Sequence, residues 1–391
     1  METKSRNDEL MNKKVYITAT NCITPLGFDV QSNINAMLEG NSAIQYHDDL
    51  MLLDQPFCSA IIDDKKLTNA FELIDKSKAY SRLEKMLILA LNSIVNRSEI
   101  TSRTAFILST TKGNIVKLEN QNNTIESAQL AVLAKKIANY FGFITEPIVV
   151  SNACVSGALA IVVAKRMIKA GVYDDAYVLA GDEVSKFVLS GFKSFQAMSE
   201  KPCKPFDKDR DGVTLGEAAA AVYITADESK LDIESIQILG DGSVNDANHI
   251  SGPSRTGEGL FRSIESALKE AKLTADQIDF ISAHGTATIF NDEMESIAFN
   301  RSHLEKVPMN SYKGYFGHTL GTSGLLEIVI SIASTNKNLL FASKGFVDLG
   351  VTQPIAVIDI NSKKNIRYFL KTASGFGGCN TAVVFYKPEL N

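Results

Sequence analysis

The sequence predicts a layered α/β fold. Short apolar strands alternate with amphipathic helices along most of the 391 residues, which is typical of sheets whose faces are covered by helices. A second observation is an internal similarity. The segment Cys154–Val162 shares its pattern with Gly321–Val329, because each is a turn of small residues that opens an apolar helix. From the residues alone, duplication of the fold and chance explain this similarity equally well.

Predicted strands and helices alternate along the first half of the chain. Helical spacing of apolar residues predicts helices, and compact apolar runs between turn residues predict strands. The predicted strands lie at 15–19, 105–108, 146–150 and 176–181. The predicted helices lie at 30–38, 81–94, 127–140 and 158–169. Residues 41–80 are polar, and we expect them to be irregular.

The second half repeats the alternation after a polar loop at 201–216. Residues 218–225 and 233–240 predict two paired strands. Further helices are predicted at 260–271, 292–299 and 324–333. Further strands are predicted at 278–282, 355–359 and 382–386.

Composition excludes several classes of protein. The formal net charge is −5, so we expect no general affinity for nucleic acid or for an anionic membrane. The five cysteines are odd in number and scattered, which indicates a reducing compartment and no disulfide framework. The sequence shows no signal-peptide core and no apolar run of membrane-spanning length. We therefore expect a cytoplasmic protein without membrane insertion, with a flexible leader at 1–12 and a translation start at either Met1 or Met11.

Cys154 is a candidate nucleophile because of its position between two predicted elements. A strand at 146–150 precedes it and an apolar helix at 158–169 follows it, so the thiol is expected at or next to a helix N-terminus. Unpaired backbone N–H groups and the helix dipole favour an anion there. The position predicts a thiolate nucleophile, whereas a single buried cysteine is more often an inert small hydrophobe.

Two histidines follow in glycine-containing turns. His284 precedes a glycine, and His318 follows one. A single histidine in such a turn more often serves only as a local hydrogen-bonding residue. Together with Cys154, the two predict a site in which each imidazole donates an N–H bond, provided that each ring holds the right tautomer. The spacing of histidines and cysteines is unlike that of zinc ligands, so we expect no metal.

Five blocks of sequence, in order along the chain, carry a family resemblance. They are Asn152–Gly157, Pro205–Gly212 with Gly216 and Glu217, His284–Thr288 with Asp292 and Glu295, Lys313–Glu327 with Gly317, His318 and Gly321, and Ser374–Asn380. In this set and order, the chain resembles the β-ketoacyl-acyl-carrier-protein synthases of the thiolase superfamily. The resemblance covers about residues 13–388.

The resemblance implies a thiolase-like five-layer αβαβα fold made of two duplicated halves. Residues 13–230 would form the half that carries the nucleophile, and residues 231–391 the half that carries both histidines. It also implies a homodimer, or a heterodimer with a chain-length factor, that works with an acyl carrier protein. The carrier would bring the phosphopantetheine arm, so no other cofactor is implied.

The implied reaction is decarboxylative Claisen condensation of an acyl thioester, held on Cys154, with malonyl-acyl-carrier-protein. Such chemistry needs a nucleophile, donors for the enolate and an oxyanion hole. By the resemblance, His284 and His318 would donate to the malonyl thioester carbonyl. The backbone N–H groups of Cys154 and Phe376 would form the oxyanion hole.

The resemblance assigns further residues. Lys313 and Glu327 would form an ion pair that orients His318. Phe376 would swing as a gate between the half-reactions, because it lies between glycines. The residues implied to contact substrate are Phe376, Gly375, Gly377, Thr286, Thr288 and Lys112.

The segment at 109–113 departs from the family pattern. It contains Thr110, Thr111 and Lys112 where the family has a run of glycines with an aliphatic residue. By the resemblance, this segment lies near the dimer interface and the end of the acyl pocket. An unpaired buried lysine is costly, so Lys112 is expected either to have an acceptor and wall off the pocket or to turn away. This departure favours a specialised polyene-type pathway, while fatty acid and polyketide synthesis stay open.

Other interpretations are kept as alternatives. A chain-length-factor-like subunit typically lacks the nucleophile that this chain keeps. A coenzyme A thiolase would use a second cysteine, a role that we do not favour for Cys379. Chalcone-synthase-like and initiating synthases have Asn where this chain has His318. Asp292 and Glu295 are equally well explained as site residues and as partners of a helix dipole.

Overall fold

The computed structural model describes residues 13–119, 124–247 and 252–389. The leader predicted at 1–12, including Met11, lies outside the described residues. The strands are β1 (Tyr16–Ile23), β2 (Gln45–His47), β3 (Phe57–Ala60), β4 (Thr104–Ser109), β5 (Ile148–Val150), β6 (Asp175–Asp182), β7 (Leu215–Gly216), β8 (Ala218–Thr225), β9 (Ile236–Asn245), β10 (Phe280–Ser282), β11 (Met309–Asn310), β12 (Leu339–Leu340), β13 (Ser362–Lys363), β14 (Tyr368–Gly375) and β15 (Cys379–Tyr386).

The α-helices begin and end within the same described ranges. They are α1 (Val30–Leu38), α2 (Asp64–Glu72), α3 (Arg82–Asn92), α4 (Val116–Glu119), α5 (Leu130–Phe141), α6 (Ser156–Lys169), α7 (Lys186–Ser194), α8 (Glu258–Ala271), α9 (Ile289–Arg301), α10 (Lys313–Phe316) and α11 (Ser323–Asn336). Side-chain caps fix several helix starts. In α3, Ser81 and Glu84 form a reciprocal capping box, which satisfies two otherwise unpaired N–H groups.

Ten strands form one sheet whose two sides have the same topology. The order is β11-β10-β14-β15-β9-β1-β8-β6-β4-β5. From β1 outward, the pairings are antiparallel, antiparallel, parallel and parallel. From β9 outward they are the same, and β1 joins β9 antiparallel at the centre. This repetition shows that the two halves are duplicates, so chance does not explain the internal similarity in the sequence.

The two halves of the sheet form two β layers, which lie between three layers of helices. Side chains alternate between the two faces of a strand, so Val178 of β6 packs on α6 and α11 while Leu179 packs on α3 and α5. In the second half, β14 and β15 pack on the same central helices from one face and on α8 and α9 from the other. The resulting five-layer αβαβα order confirms the predicted fold class.

The central helices α6 and α11 cross through equivalent glycines. A Cβ atom on Gly157 would lie 2.5 Å from the backbone nitrogen of Leu325, and one on Gly324 would lie 2.5 Å from that of Ala158. Real Cβ atoms do not approach so closely, so both helices need glycine at this point of the first turn. The crossing brings the starts of the two helices together, and the functional cluster lies beside them.

Several sequence-based expectations for the fold are wrong. Residues 355–359 form no strand, and only a single bridge joins Val357 to Met309 there. The strands β8 and β9 are not paired with each other, because β1 lies between them and pairs with both. The region 41–80 contains β2, β3 and α2. Among the described helices, none is both long enough and apolar enough to cross a membrane.

Candidate functional site

Cys154 lies in the turn between β5 and α6, as predicted. Cys154 is 8% exposed, and α6 begins at Ser156. The Ser156 hydroxyl accepts the N–H of Asn152 at 2.7 Å and donates to the carbonyl of Ala153 at 2.6 Å. Ala153 has a φ of 43°, a left-handed conformation that is strained for a residue with a side chain. Hydrogen bonds therefore hold the turn around the thiol in a costly conformation.

His318 lies directly against the thiol. Its Nε2 is 3.1 Å from Cys154 Sγ. On the other side of the ring, Nδ1 accepts the backbone N–H of Leu320 at 3.2 Å and lies 2.8 Å from Ser323 Oγ. Because a backbone N–H can only donate, Nδ1 carries no proton, and the neutral ring holds its proton on Nε2. The N–H bond of His318 therefore points at the sulfur.

His284 completes the cluster, with its ring centroid 5.3 Å from that of His318. The Lys313 ammonium donates to His284 Nδ1 at 3.2 Å, to the His284 carbonyl at 2.5 Å and to Glu327 at 2.7 Å. These three acceptors use all three ammonium protons. Since Nδ1 of His284 accepts, the proton of this neutral imidazole is also on Nε2.

The predicted ion pair between Lys313 and Glu327 is present, but it does not orient His318. It lies behind His284, which contacts Lys313 through both its ring and its carbonyl. The turn that precedes α11 holds His318 instead, through Leu320 and Ser323. The expectation was wrong because the chain turns back after His318. The N–H of Leu320 and the hydroxyl of Ser323 therefore lie against the imidazole of His318 itself.

Glu327 has a second cationic partner in Lys371 of β14. The Lys371 ammonium donates to the other carboxylate oxygen of Glu327, and to the carbonyls of Ser282 and Ala283 at 3.2 Å each. The side chains of Lys313 and Lys371 are fully buried. Lys313 and Lys371 therefore place two positive charges behind the histidines, in a region where water screens them little.

Both histidines are held neutral. Burial lowers the pKa of His284 and of His318 well below the ordinary value for histidine, and the positive charges of Lys313 and Lys371 lower it further. A neutral imidazole with its proton on Nε2 is a hydrogen-bond donor at that atom without being a strong acid. The site therefore presents two N–H donors beside one thiol.

The thiol of Cys154 is not a resting thiolate. Burial raises its pKa to about 12, and the nearby Cys379 and Asp182 raise it as well, while Lys313 and Lys112 act in the opposite direction. The start of α6 favours an anion, but the loss of hydration around a buried sulfur outweighs it. The prediction of a thiolate from the helix start alone is therefore wrong.

Two buried carboxylates on α9 hold the His284 loop from behind. Glu295 accepts the backbone N–H groups of His284 and of the next residue, at 2.8 and 2.6 Å. Asp292 accepts those of Thr286 at 3.0 Å and Phe206 at 2.7 Å. Of the two interpretations of this pair, the structure favours a role in the site. The same contacts tie the polar loop at 201–216 to the histidine.

A cavity of about 370 Å³ opens onto the thiol and both imidazoles. Aromatic rings surround part of it. The Phe376 ring lies 5.7 Å from that of Phe192 and 5.5 Å from that of Phe195, measured between centroids. Phe376 is 37% exposed, so its ring lies between the cavity and the protein surface.

Four of the residues predicted to contact substrate line this cavity. They are Thr286, Thr288, Gly375 and Phe376. A Cβ atom on Gly375 would lie 3.0 Å from the backbone nitrogen of Cys154, so the absence of a side chain keeps that N–H accessible. Gly377 is outside the lining and has a φ of 85°, which favours glycine by conformation.

Lys112 lies apart from the cavity lining. Its ammonium is 5.9 Å from the centroid of the Phe187 ring, and its backbone N–H donates to Asp182 at 3.1 Å. Within the described residues, the ammonium has no hydrogen-bond acceptor. The side chain is half-buried, so the structure corresponds to the expectation of a lysine that turns away.

The thiol and the two imidazoles are also the one group of metal-type ligands found among the described residues, with donor atoms within 4.8 Å of one another. A histidine that binds a metal usually donates its other ring N–H to an acceptor. Here the other nitrogen of each ring accepts a hydrogen bond, from Leu320 or Lys313. This pattern keeps protons on the Nε2 atoms and fits N–H donation better than metal binding.

Sequence reasoning missed several residues around the cluster. Lys371, Ser323 and Asp182 each contact the groups that hold the histidines or the turn beside them. A signal existed for Lys371 and Asp182, because a charged residue inside or at the end of an apolar strand is rarely buried without a partner. Ser323 has no such signal, since its role depends on the turn that places it against His318.

The chain matches known protein families along most of its length. Residues 12–229 match the family model of the β-ketoacyl synthase N-terminal domain, and residues 236–346 match that of the C-terminal domain.

Individual relatives give the same result. The 3-oxoacyl-[acyl-carrier-protein] synthase 2 of Rhizobium meliloti (strain 1021) is 34% identical over 60% of this chain and 59% of that protein. The protein of the same name from Staphylococcus aureus (strain COL) is 26% identical over 97% of this chain and 99% of its own. A solved structure of the ketosynthase ApeO with its chain length factor ApeC, from Xenorhabdus doucetiae, is 25% identical with a TM-score of 0.83, covering 96% of this chain and 98% of that one.

Proposed function

Because this chain belongs to the β-ketoacyl synthase family, and is therefore a condensing enzyme of the acyltransferase type, we propose that it joins an acyl group to malonyl-acyl-carrier-protein through an acyl-Cys154 intermediate. One observation carries this proposal. The Cys154 thiol and the two Nε2–H donors of His284 and His318 meet in a single cavity, with 3.1 Å between Sγ and the nearer nitrogen.

The first half-reaction is transfer of the acyl group to Cys154. The sulfur attacks the thioester carbonyl of the acyl carrier, the carbon–sulfur bond to the carrier breaks, and the thiol proton ends on the departing carrier thiol. Since the resting thiol is protonated, proton loss accompanies the attack. The backbone N–H groups of Cys154 and Phe376 would stabilise the tetrahedral oxyanion, and Gly375 leaves room for it.

The second half-reaction begins when malonyl thioester loses carbon dioxide. The resulting enolate oxygen would accept the Nε2–H bonds of His284 and His318, which are neutral and so donate without giving up the proton. The enolate carbon attacks the acyl carbonyl on Cys154, and collapse of the intermediate releases the thiolate. One proton from solvent restores the thiol and balances the reaction.

The competing functions have less support. Cys379 is buried in β15 and is not among the cavity-lining residues, which disfavours a thiolase with a second catalytic cysteine. Retention of Cys154 disfavours a non-catalytic chain-length-factor-like subunit. The second donor is His318, where chalcone-synthase-like enzymes have Asn.

We propose a dimer as the working assembly. Among the described strands, β5 is an outer strand of the ten-stranded sheet and pairs only with β4. A free strand edge supports pairing with another chain. The partner is either a second copy or a chain-length factor, and light scattering of the purified chain alone would separate the two. The acyl carrier protein would bring the phosphopantetheine arm, and no further cofactor is proposed.

The experiment that tests the function is intact-mass analysis with a panel of acyl carrier proteins bearing saturated and unsaturated chains. We expect a mass increase of one acyl group in the wild type and none in Cys154→Ala. The substitution leaves only a small gap, so the fold should persist. Cys58→Ala is the matched control, because Cys58 is buried outside the cavity. The loaded species would also show whether the substrate is a polyene-type chain, as we propose, or a saturated one.

The histidines are tested by separating the half-reactions. In His284→Ala and His318→Ala, we expect malonyl decarboxylation and condensation to fail while acyl loading persists in part. The exposed His303 provides the control His303→Asn, since its φ of 58° suits asparagine. Acylation of another residue in Cys154→Ala, or normal condensation in either histidine variant, would contradict the assignment.

A further inference from the structure

Asp182 lies at the end of β6, fully buried beside the candidate active site. One carboxylate oxygen accepts hydrogen bonds from the Thr110 hydroxyl at 2.8 Å, Thr111 N–H at 3.0 Å and Lys112 N–H at 3.1 Å. The other accepts the Thr111 hydroxyl at 3.1 Å and Gly321 N–H at 2.8 Å. Burial of a carboxylate is tolerated when its lone pairs are satisfied in this way.

These donors come from two separate parts of the fold. Thr110–Lys112 follows β4, which is parallel to β6, so both strands end at the same edge. Gly321 belongs to the turn before α11, in the other half of the duplicated fold. A Cβ atom on Gly321 would lie 2.8 Å from the Asp182 carboxylate. The close approach across the two halves therefore depends on glycine.

The turn held by Asp182 is the one that fixes the tautomer of His318. Leu320, the neighbour of Gly321, donates its N–H to His318 Nδ1. Ser323, two residues beyond Gly321, lies 2.8 Å from the same nitrogen. A shift of this turn would weaken both contacts and release the His318 Nε2–H from its direction toward Cys154.

We propose that Asp182 is a positioning residue for the condensation: its carboxylate holds the His318 turn and the Thr110–Lys112 segment in one fixed arrangement. The catalytic consequence rests on the proposed function, whereas the structural consequence does not. Asp182 acts through His318 and does not itself contact the reacting atoms.

The test compares Asp182→Asn with Asp175→Asn. Asparagine keeps the shape of Asp182 but places an NH₂ group against N–H donors, because both carboxylate oxygens accept backbone N–H groups. Asp175 is the matched control, since it is a buried carboxylate at the opposite end of the same strand and accepts the Tyr223 hydroxyl.

Two readouts are measured. Hydrogen exchange of peptides covering 110–113 and 318–323 should become faster in Asp182→Asn and stay unchanged in Asp175→Asn. Malonyl-dependent condensation should fall about 10- to 100-fold, as expected when a catalytic group is misplaced. Acyl loading on Cys154 should change by less than about threefold, because the turn at 152–156 has its own hydrogen bonds.

Unchanged exchange in either peptide would overturn the proposal, as would an equal loss of loading and condensation in both variants. If Asp182→Asn does not fold, Thr110→Val removes one donor and keeps the carboxylate. It should speed exchange at 318–323 to a smaller extent, and unchanged exchange there would likewise overturn the proposal. If the wild type neither loads nor condenses, the proposed function fails, and hydrogen exchange still decides whether Asp182 joins the two segments.

Discussion

The Lys371 ammonium forms an ion pair with Glu327 inside the wall behind His284. Both side chains are almost completely excluded from solvent. Glu327 is also bound by Lys313, so its carboxylate joins α11 to the strand and the short helix that carry the two cations. Removal of either cation leaves buried charge with fewer partners, and this arrangement leads to two predictions.

We expect Lys371→Met to lower the free energy of unfolding by about 3–5 kcal/mol, the usual cost of breaking a buried ion pair by removing one partner. Methionine fills a similar volume, so loss of packing contributes little. Urea unfolding measures the effect. The control is Lys363→Met on the exposed strand β13, which should stay within about 0.5 kcal/mol of the wild type. A similar value for both variants would show that the pair contributes no net stability.

The same substitution should move the pH dependence of condensation. The positive charge of Lys371 lowers the pKa of both histidines, so its removal raises them toward the ordinary value. Wild-type condensation should persist well below pH 6.5, and Lys371→Met should lose activity at a higher pH. If the wild type and Lys371→Met lose condensation activity at the same low pH, protonation of the histidines does not cause that loss.

Protein stability should follow the histidines in the same direction. Their pKa is depressed in the fold, so below pH 6.5 the unfolded chain binds protons that the folded site does not bind. Their contribution to stability is therefore complete above pH 6.5 and is lost as the pH falls below it. Urea unfolding of the wild type and of His318→Asn across this range would detect the difference.

The sequence predicts which residues meet better than it predicts their ionisation. Cys154, His284 and His318 come together as expected, because each lies in a turn next to an element of the duplicated fold. The thiolate prediction failed, since burial of the sulfur depends on side chains from distant parts of the chain. The prediction that the Lys313–Glu327 pair orients His318 was wrong for a similar reason. The path of each loop decides which histidine ring lies beside the Lys313 ammonium, and that ring belongs to His284.

The prediction of helices and strands from the sequence has the same limit, because it uses only local patterns. Helices with regular apolar spacing, such as α1, were predicted at their observed bounds, since the pattern is local. The pairing of β8 with β9 was wrong because β1, from the far end of the sequence, lies between them. Sheet order depends on contacts between distant segments, which local periodicity does not report.

The rate at which each cysteine is labelled should depend on its access to the cavity, because the pKa of the Cys154 thiol is not the lowest among the cysteines. Burial raises the pKa of Cys203 and Cys379 to about 11, which is below the value of about 12 for Cys154. Of the five, only Cys154 lines the cavity. We expect an acyl epoxide to modify Cys154 first, as mapped by peptide mass analysis, and equal labelling of all five would contradict this.

The alkylation rate of Cys154 by iodoacetamide should report its pKa. The rate should rise about tenfold for each pH unit between pH 7 and 10 without a plateau, since the thiolate fraction is small throughout this range. A plateau near pH 8 would show that the thiolate forms more readily than burial of the sulfur allows. Denatured protein, in which the thiol is exposed, provides the reference profile.

A matched pair of glycine substitutions tests the crossing of the central helices. In Gly157→Ala, the new methyl group would lie 2.5 Å from the backbone nitrogen of Leu325. We expect a loss of about 1–3 kcal/mol or more in the free energy of unfolding, the range for overpacking. Gly191 in α7 has open space around it, so Gly191→Ala should stabilise the protein by about 0.5–1 kcal/mol through helix propensity. Equal effects would show that the crossing can relax.

Lys112 is the residue most directly connected with the choice of acyl chain. Asp182 fixes its backbone, its ammonium lies against the Phe187 ring, and its charge lowers the pKa of the Cys154 thiol. The side chain lies outside the cavity lining and turns away from it, so its stem does not close the space beyond the nucleophile. We therefore expect Lys112→Ala, and Lys112→Met, which keeps the length without the charge, to give products of wild-type length, whereas longer products from Lys112→Ala would show that the stem closes the pocket.

Product masses from all three proteins decide between length and charge. If both variants shift the products equally, the ammonium and not the stem sets the limit. The exposed Lys135, paired only with Glu146 at the surface, supplies the control Lys135→Ala. Identical product profiles for the wild type and Lys112→Ala would leave Lys112 as a residue without a role in the pocket.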